Sequence, residues 1–410
     1  MRWLGISPAL AGEGRAMQGD DRGSSGAIET APPAFALRAG AGFFGTFLAF
    51  GIMLPYFPVW LKSLSLEDWQ IGLLLSLPMF VRILTTPLIA AYADRAADRA
   101  HVLILTAFLS IVVTALLFVV DGFWMLLVVV LAQAIVVAPH VVIIDSITIT
   151  GVRRYRTDYA RVRLWGSLAF VVANVIGGYV IARQGAGAVL PLLILGQITT
   201  FGASLLVPRV GRPRRPSALA GGGQAGLLAN RPFVVMLIGG ATIHASHAML
   251  YGFSAIYWGQ LGYSGTVIGA LWATGVIAEV ALFQMSRRLI GHIDVTRLIV
   301  AGGLVAALRW AVFPIDLGAG WYFAMQLLHA GSFSVVFLGM QRLIVMYVGE
   351  EKEAGAQGLF FMVSGSTMAT SMVVSGYLFD RFGGTAFVAM AFLALMGIAC
   401  HLAGRSMQRP

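Results

Sequence analysis

Residues 145–170 read Asp-Ser-Ile-Thr-Ile-Thr-Gly-Val-Arg-Arg-Tyr-Arg-Thr-Asp-Tyr-Ala-Arg-Val-Arg-Leu-Trp-Gly-Ser-Leu-Ala-Phe. Asp145 stands at the end of one long apolar segment. Arg153 and Arg154 fall in a short basic connection, and Arg161 and Arg163 open the next apolar segment. Two antiparallel membrane helices joined by such a connection can bring Asp145 and Arg163 face to face. A lone charge at the centre of a bilayer costs ~2.5–3.5 kcal/mol on insertion scales, so each predicts a partner or a wet cavity.

Outward from this stretch the chain is apolar almost throughout. Of its 410 residues, 58% are hydrophobic and 11% charged, about half the ~25% charged share of soluble domains. Most apolar runs reach ~20 residues, the length that crosses a bilayer core as a helix. The composition therefore predicts an all-α polytopic membrane protein. The net charge of +10 does not point to nucleic acid, because the aromatics sit in apolar runs rather than among basic clusters on a polar face. A single cysteine, Cys400, excludes an intrachain disulfide framework and a Cys-based metal cluster. No metal or cofactor is expected.

Residues 1–34 are rich in Gly, Ala, Ser and Arg and lack a signal-peptide h-region, which predicts a disordered cytoplasmic tail. Six spans are predicted near 36–61, 70–92, 101–120, 123–150, 164–182 and 188–207. The polar segment 208–231, with its run of arginines and Gly221-Gly222-Gly223, reads as a cytoplasmic linker. Six more spans follow near 233–259, 266–285, 298–314, 321–347, 358–379 and 385–403. The division gives an N-terminal half over 35–207, a C-terminal half over 232–403 and a short tail over 404–410. Counting Lys and Arg with the N-terminus inside places 22 on that side and only Lys62, Arg183 and Arg381 opposite. The bias predicts both termini in the cytoplasm. Trp60, Trp124 and Trp321 near span ends read as interfacial anchors.

The opening stretch resembles the lactose permease and phenylpropionate permease branch of the major facilitator superfamily. The match to lactose permease is without a gap: Asp145, then Arg153 and Arg154, then Arg161, Arg163, Leu164, Trp165 and Gly166. The resemblance implies twelve transmembrane helices in two six-helix halves around a midplane site, the facilitator fold. It implies that Asp145 and Arg163 grip substrate, with Phe170 where a stacking aromatic lies. Ala90-Ala91-Tyr92-Ala93-Asp94-Arg95 resembles the superfamily's Gly-x-x-x-Asp-Arg loop, with Ala90 for Gly, and makes Asp94 and Arg95 candidates for conformational gating. A solvated turn is the plainer reading.

Ionisable residues inside spans mark a pathway by default. Glu279 and Arg309 resemble the acid–arginine pair of lactose permease, though the connecting loop is three residues shorter. A buried structural ion pair is the alternative for Glu279 and Arg309, and His329 falls where the family's coupling histidine sits. The family's carboxylate three residues beyond that histidine is Ser332 here, so the proton carrier cannot be copied across. Glu279 is the first candidate for proton coupling, then Asp145, then His329. Arg82, between Pro78 and Pro87, either binds an anionic substrate or supports the loop motif. His244 and His247, without acids or cysteines nearby, read as cavity or packing residues rather than a metal site. His140 reads as packed beside a kink at Pro139.

No Walker loop or phosphate-cradling glycine motif occurs, so an ion gradient must supply the energy. The sequence predicts a proton-coupled symporter in the plasma membrane that imports a small organic solute, and no enzyme activity. Arg82, Arg163 and Arg309 outnumber Asp145 and Glu279, which favours a carboxylate, most simply an aromatic or hydrophobic monocarboxylate of the phenylpropionate type. An oligosaccharide or nucleoside symporter is the alternative, followed by a non-transporting facilitator relative.

Overall fold

A computed structural model describes residues 31–211, 224–349 and 352–407. Most of the expected N-terminal tail, the middle of the linker and the last three residues lie outside these. The described chain is helical from end to end. Six spans precede the linker: α1 (Phe35–Ser63), α2 (Asp68–Arg95), α3 (Arg99–Leu116), α4 (Phe123–Val137) continued by α5 (Pro139–Tyr155), α6 (Tyr159–Gln184) and α7 (Val189–Leu206). A short α8 (Gln224–Ala229) leads into the second six. These are α9 (Arg231–Ala245) continued by α10 (Ala248–Gln260), α11 (Gly265–Leu289), α12 (Val295–Val312), α13 (Ala319–His329) continued by α14 (Val335–Tyr347), α15 (Glu353–Phe382) and α16 (Phe387–Ser406). Eleven stretches are long and apolar enough to cross a membrane, and the last, Gly355–Ser406, holds 52 residues. It turns back at Gly383, whose φ of 54° suits a residue without Cβ, and so makes two passes. The described residues thus form twelve spans, as the hydropathy predicts.

Polar residues mark where helices begin. Asp98, Asp158, Asn230, Ser264 and Asp294 each accept a backbone N–H at the start of α3, α6, α9, α11 and α12, which satisfies donors that hydrocarbon could not. Three spans are interrupted in mid-course. Pro139 breaks α4 from α5, as its missing N–H requires. Ser246 and His247 separate α9 from α10. A π-helical turn over Ala330–Ser334 joins α13 to α14.

Within the first half α1 packs between α6 and α7, and within the second α16 packs on α9 and α12. The halves meet through α2 against α15, α6 against α11 and α1 against α10. Their closest approaches lie at the ends away from the linker. A Cβ on Gly178 would lie 2.3 Å from the Gly265 carbonyl oxygen, and one on Gly72 2.8 Å from the Gly376 Cα. At the same level Asp380 Oδ1 accepts the backbone N–H of Asp68 at 3.1 Å, and Trp69 stacks on Tyr377. Toward the linker side α6 and α11 part around a cleft of about 460 Å³ lined by Leu164, Leu168, Ile277 and Val280 among others. This conformation is shut on the far side.

The tryptophans divide. Trp124 is 75% exposed, as an interfacial anchor should be, but Trp60 is only 6% exposed and stacks on Phe57. The end of α1 packs beneath its neighbours, so Trp60 is a core residue and the anchor reading fails there. Phe253, Tyr257 and Trp258 at the far end of α10 are likewise buried.

Candidate functional site

Two polar clusters stand out, one in each half. The first is built on α1, α5 and α6. The Tyr159 hydroxyl donates to Asp145 Oδ1 at 2.8 Å. Asp158 caps α6 and fixes its first turn, so Tyr159 and Arg163, four apart, lie on one face. The Arg163 guanidinium carbon lies over the Phe47 ring at 4.3 Å and the Phe43 ring at 5.2 Å. A Cβ on Gly166 would come within 2.8 Å of Arg163 Nη1 and 3.0 Å of Phe47, so glycine there makes room for the stack. Phe47 meets Phe50 edge to face, and Phe50 meets the buried Phe170 at 5.8 Å. Asp145 and Arg163 are thus brought to one place but not into direct contact. Tyr159 holds the acid and the phenylalanines hold the base.

The loop motif supports this cluster from the linker side. Asp94 pairs with Arg99 at 3.1 Å, and Arg99 Nη1 donates to the Ser146 carbonyl and to Thr150 on α5. The turn between α2 and α3 is thereby tied to the residue after Asp145. Asp98 also accepts the N–H of Gly211, where the linker begins. Arg95 itself is exposed.

The second cluster lies inside the second half. Glu279 Oε1 is 2.8 Å from His329 Nε2, and Arg309 Nη1 is 3.1 Å from His329 Nδ1. A guanidinium only donates, so Nδ1 accepts and the imidazole proton sits on Nε2, aimed at the carboxylate. His329 therefore stands between Glu279 and Arg309, which sequence spacing had suggested as a direct pair. Arg309 is fully buried, donates also to Gln326 Oε1 at 2.6 Å and lies over Trp310 at 4.4 Å. His247 Nε2 is 3.0 Å from Ser332 Oγ, and His244 is stacked on Phe333. The network sits at both interrupted helices, the α9–α10 break and the π-helical turn. Such turns inside membrane helices concentrate at functional sites. The Glu279 side chain keeps 21% exposure against 7% for His329, so the carboxylate is the member that solvent reaches.

Arg82 stands apart near the middle of α2. Its side chain is exposed. It has no hydrogen bond or ion pair among the described residues. Arg342, near the end of α14, donates to the Ile290 carbonyl at the end of α11. His140 is buried beside the Pro139 break.

The family model described as "MFS_1 like family" matches residues 38–390. The chain belongs to that family. It is a major facilitator transporter. It is 31% identical over 364 residues to the "Probable 3-phenylpropionic acid transporter" of Escherichia coli (strain K12), covering 86% of this chain and 94% of that protein. It is 24% identical over 360 residues to the "Maltose permease" of Geobacillus stearothermophilus, covering 87% and 91%. Among solved structures, the nucleoside transporter NupG superposes with a TM-score of 0.78 at 15% identity, over 92% of this chain and all of that one. A bacterial homologue of the human lysosomal transporter Spinster gives 0.73 at 16%, over 90% and 96%. These structural likenesses concern the fold of the MFS transporter. The relatives are transporters rather than enzymes.

Sequence reasoning missed Tyr159, Phe47, Phe50 and Gln326. Tyr159 looked like one more loop residue between arginines, and the phenylalanines of α1 are hidden in a helix apolar on all sides. Gln326 was visible, as an amide three residues before His329 on the same helical face.

Proposed function

We propose that this MFS transporter is a proton-coupled symporter that imports an aromatic or hydrophobic monocarboxylate of the phenylpropionate type. The observation that carries the reading is the guanidinium of Arg163 stacked on Phe47, with no direct carboxylate partner among the described residues, beside Phe50 and Phe170. An arylalkanoate matches both halves of that arrangement. Its carboxylate meets an arginine through charge-assisted hydrogen bonds, and its ring joins an edge-to-face row. Arg82, with no ion pair among the described residues, adds a second positive charge along the cavity. A sugar would offer hydroxyls to phenylalanines that cannot return a hydrogen bond, which disfavours the maltose-type alternative. The 31% identical relative named for 3-phenylpropionic acid points the same way.

Coupling falls to Glu279. As a carboxylate it takes a charge-assisted bond from His329, worth about 1.5–3 kcal/mol against about 0.5–1.5 for a neutral one. Taking up a proton weakens that bond. Because α11 carries Glu279 and also packs on α6 between the halves, the change reaches the surface along which the halves rock. Asp145, held by Tyr159 rather than by Arg163, is the second candidate and His329 the third. The excess of Arg on the linker side supports a cytoplasmic position for both termini, and import driven by a proton gradient fits a plasma-membrane location. Asp94 and Arg99, which brace the linker side of the first half, act in gating; Arg95, though in the motif, extends to solvent there.

The test is competition for uptake into proteoliposomes. Unlabelled phenylacetate and cinnamate should displace labelled 3-phenylpropionate, while maltose and uridine should not. Displacement by maltose or uridine at similar concentrations would replace the carboxylate reading.

A further inference from the structure

A groove of about 450 Å³ runs along the outside of the first half, away from the cavity between the halves. Its floor is Ala41 and Phe44 of α1, and its walls are Trp165 of α6 and Gly202 and Leu206 of α7. The lining is apolar almost throughout, as an acyl chain requires. At its linker-side end the Arg38 Nε donates to the Leu206 carbonyl at 2.7 Å. That bond orients the guanidinium, and its Nη atoms have no hydrogen bond or ion pair among the described residues. Arg209, three residues beyond Leu206, is exposed at the same end. An apolar slot with Arg38 at one end, and Arg209 three residues along the chain from its Leu206 wall, is complementary to a lipid with a negative headgroup. A zwitterionic lipid would gain from the slot but little from the arginines.

We propose that this groove is a binding site for one anionic phospholipid, its acyl chain against Ala41, Phe44, Trp165 and Gly202 and its phosphate between Arg38 and Arg209. Basic pockets between helices at the cytoplasmic face hold such headgroups elsewhere, with each arginine near a charged surface contributing about fivefold. The site has a consequence for transport. The adjacent face of α1 carries Phe43 and Phe47, which stack on Arg163, and Trp165 is two residues from Arg163. A lipid in the groove braces the two helices that hold the candidate substrate arginine. The site itself does not depend on what the transporter carries.

The experiment is native mass spectrometry of the full-length protein, purified with mixed phosphatidylglycerol and phosphatidylcholine of equal chain length. The wild type should retain one phosphatidylglycerol with roughly a 30-fold preference, the product of two arginines. Arg38→Gln with Arg209→Gln should bring the preference to about unity. Gly202→Leu should remove the bound lipid without unfolding, because a Cβ on Gly202 meets nothing within 4 Å. Folding of each variant is checked by its size-exclusion profile and melting temperature. Equal retention of the two lipids by the wild type would overturn the proposal. So would a phosphatidylglycerol retained by both folded variants, or a dimer that buries the groove in place of lipid.

Discussion

Replacing Gly178 by valine should hold the transporter open on its far side. In the shut conformation a Cβ at 178 would lie 2.3 Å from the Gly265 carbonyl oxygen and 2.7 Å from the Tyr56 hydroxyl. The carbonyl belongs to the first turn of α11 and cannot swing aside as a flexible side chain could. Tyr56 is also fixed, because its hydroxyl donates to the Asn174 carbonyl at 2.6 Å. Relief requires α6 and α11 to separate by about 1 Å to reach ordinary contact near 3.4 Å. Overpacking of this kind costs about 1–3 kcal/mol, and it falls only on the conformation in which these ends touch. The population therefore shifts about 5- to 150-fold toward far-side opening. Met372 reports the shift, since it is 4% exposed and its carbonyl oxygen lies 3.2 Å from where a Cβ on Gly72 of the other half would stand, at the far-side crossing of α2 and α15. In a Cys400→Ala background with Met372→Cys, Gly178→Val should speed labelling by an impermeant maleimide added from the far side, while transport falls. Unchanged labelling in a folded protein would refute the idea that this crossing seals the far side.

Other substitutions address the two clusters. Glu279→Gln mimics the protonated acid permanently, and should keep exchange of substrate across the membrane while losing accumulation driven by a proton gradient; retained accumulation would move the search to Asp145 and His329. Arg163→Ala should lower uptake at least tenfold, and Tyr159→Phe, which frees Asp145 of its only hydrogen bond among the described residues, should lower it less; normal uptake by Arg163→Ala would remove this cluster from the substrate path. A reporter fused after Pro410 should be cytoplasmic, as should one placed in the 208–231 segment; an external signal from either contradicts the arginine count.

The fold was legible because a bilayer leaves a backbone few choices. Twelve apolar runs of the right length can only be twelve helices, and Pro139 marked its own break. The division at 208–231 was read from its arginines and the Gly221-Gly222-Gly223 run. The site was legible where it is charged and obscure where it is not. Asp145, Arg163, Glu279, Arg309 and His329 stand out against apolar neighbours, and the structure gathers them into two clusters. Their pairing was less legible, because a one-residue change on a helix turns a side chain by about 100° and decides whether a tyrosine or an imidazole comes between two charges. The π-helical turn at Ala330–Ser334 has no sequence mark, since nothing in Ala-Gly-Ser-Phe-Ser forbids an ordinary helix. The phenylalanine row on α1 is hidden for a related reason. Among 25 phenylalanines, only the packing tells which few face an arginine.

Accumulation of labelled 3-phenylpropionate by proteoliposomes containing the purified transporter, with and without an inward proton gradient, tests the central claim. The account predicts accumulation above the external concentration when the gradient is imposed, and only equilibration when a protonophore removes it. Equal uptake under both conditions, or uptake no faster than into empty liposomes, would contradict it.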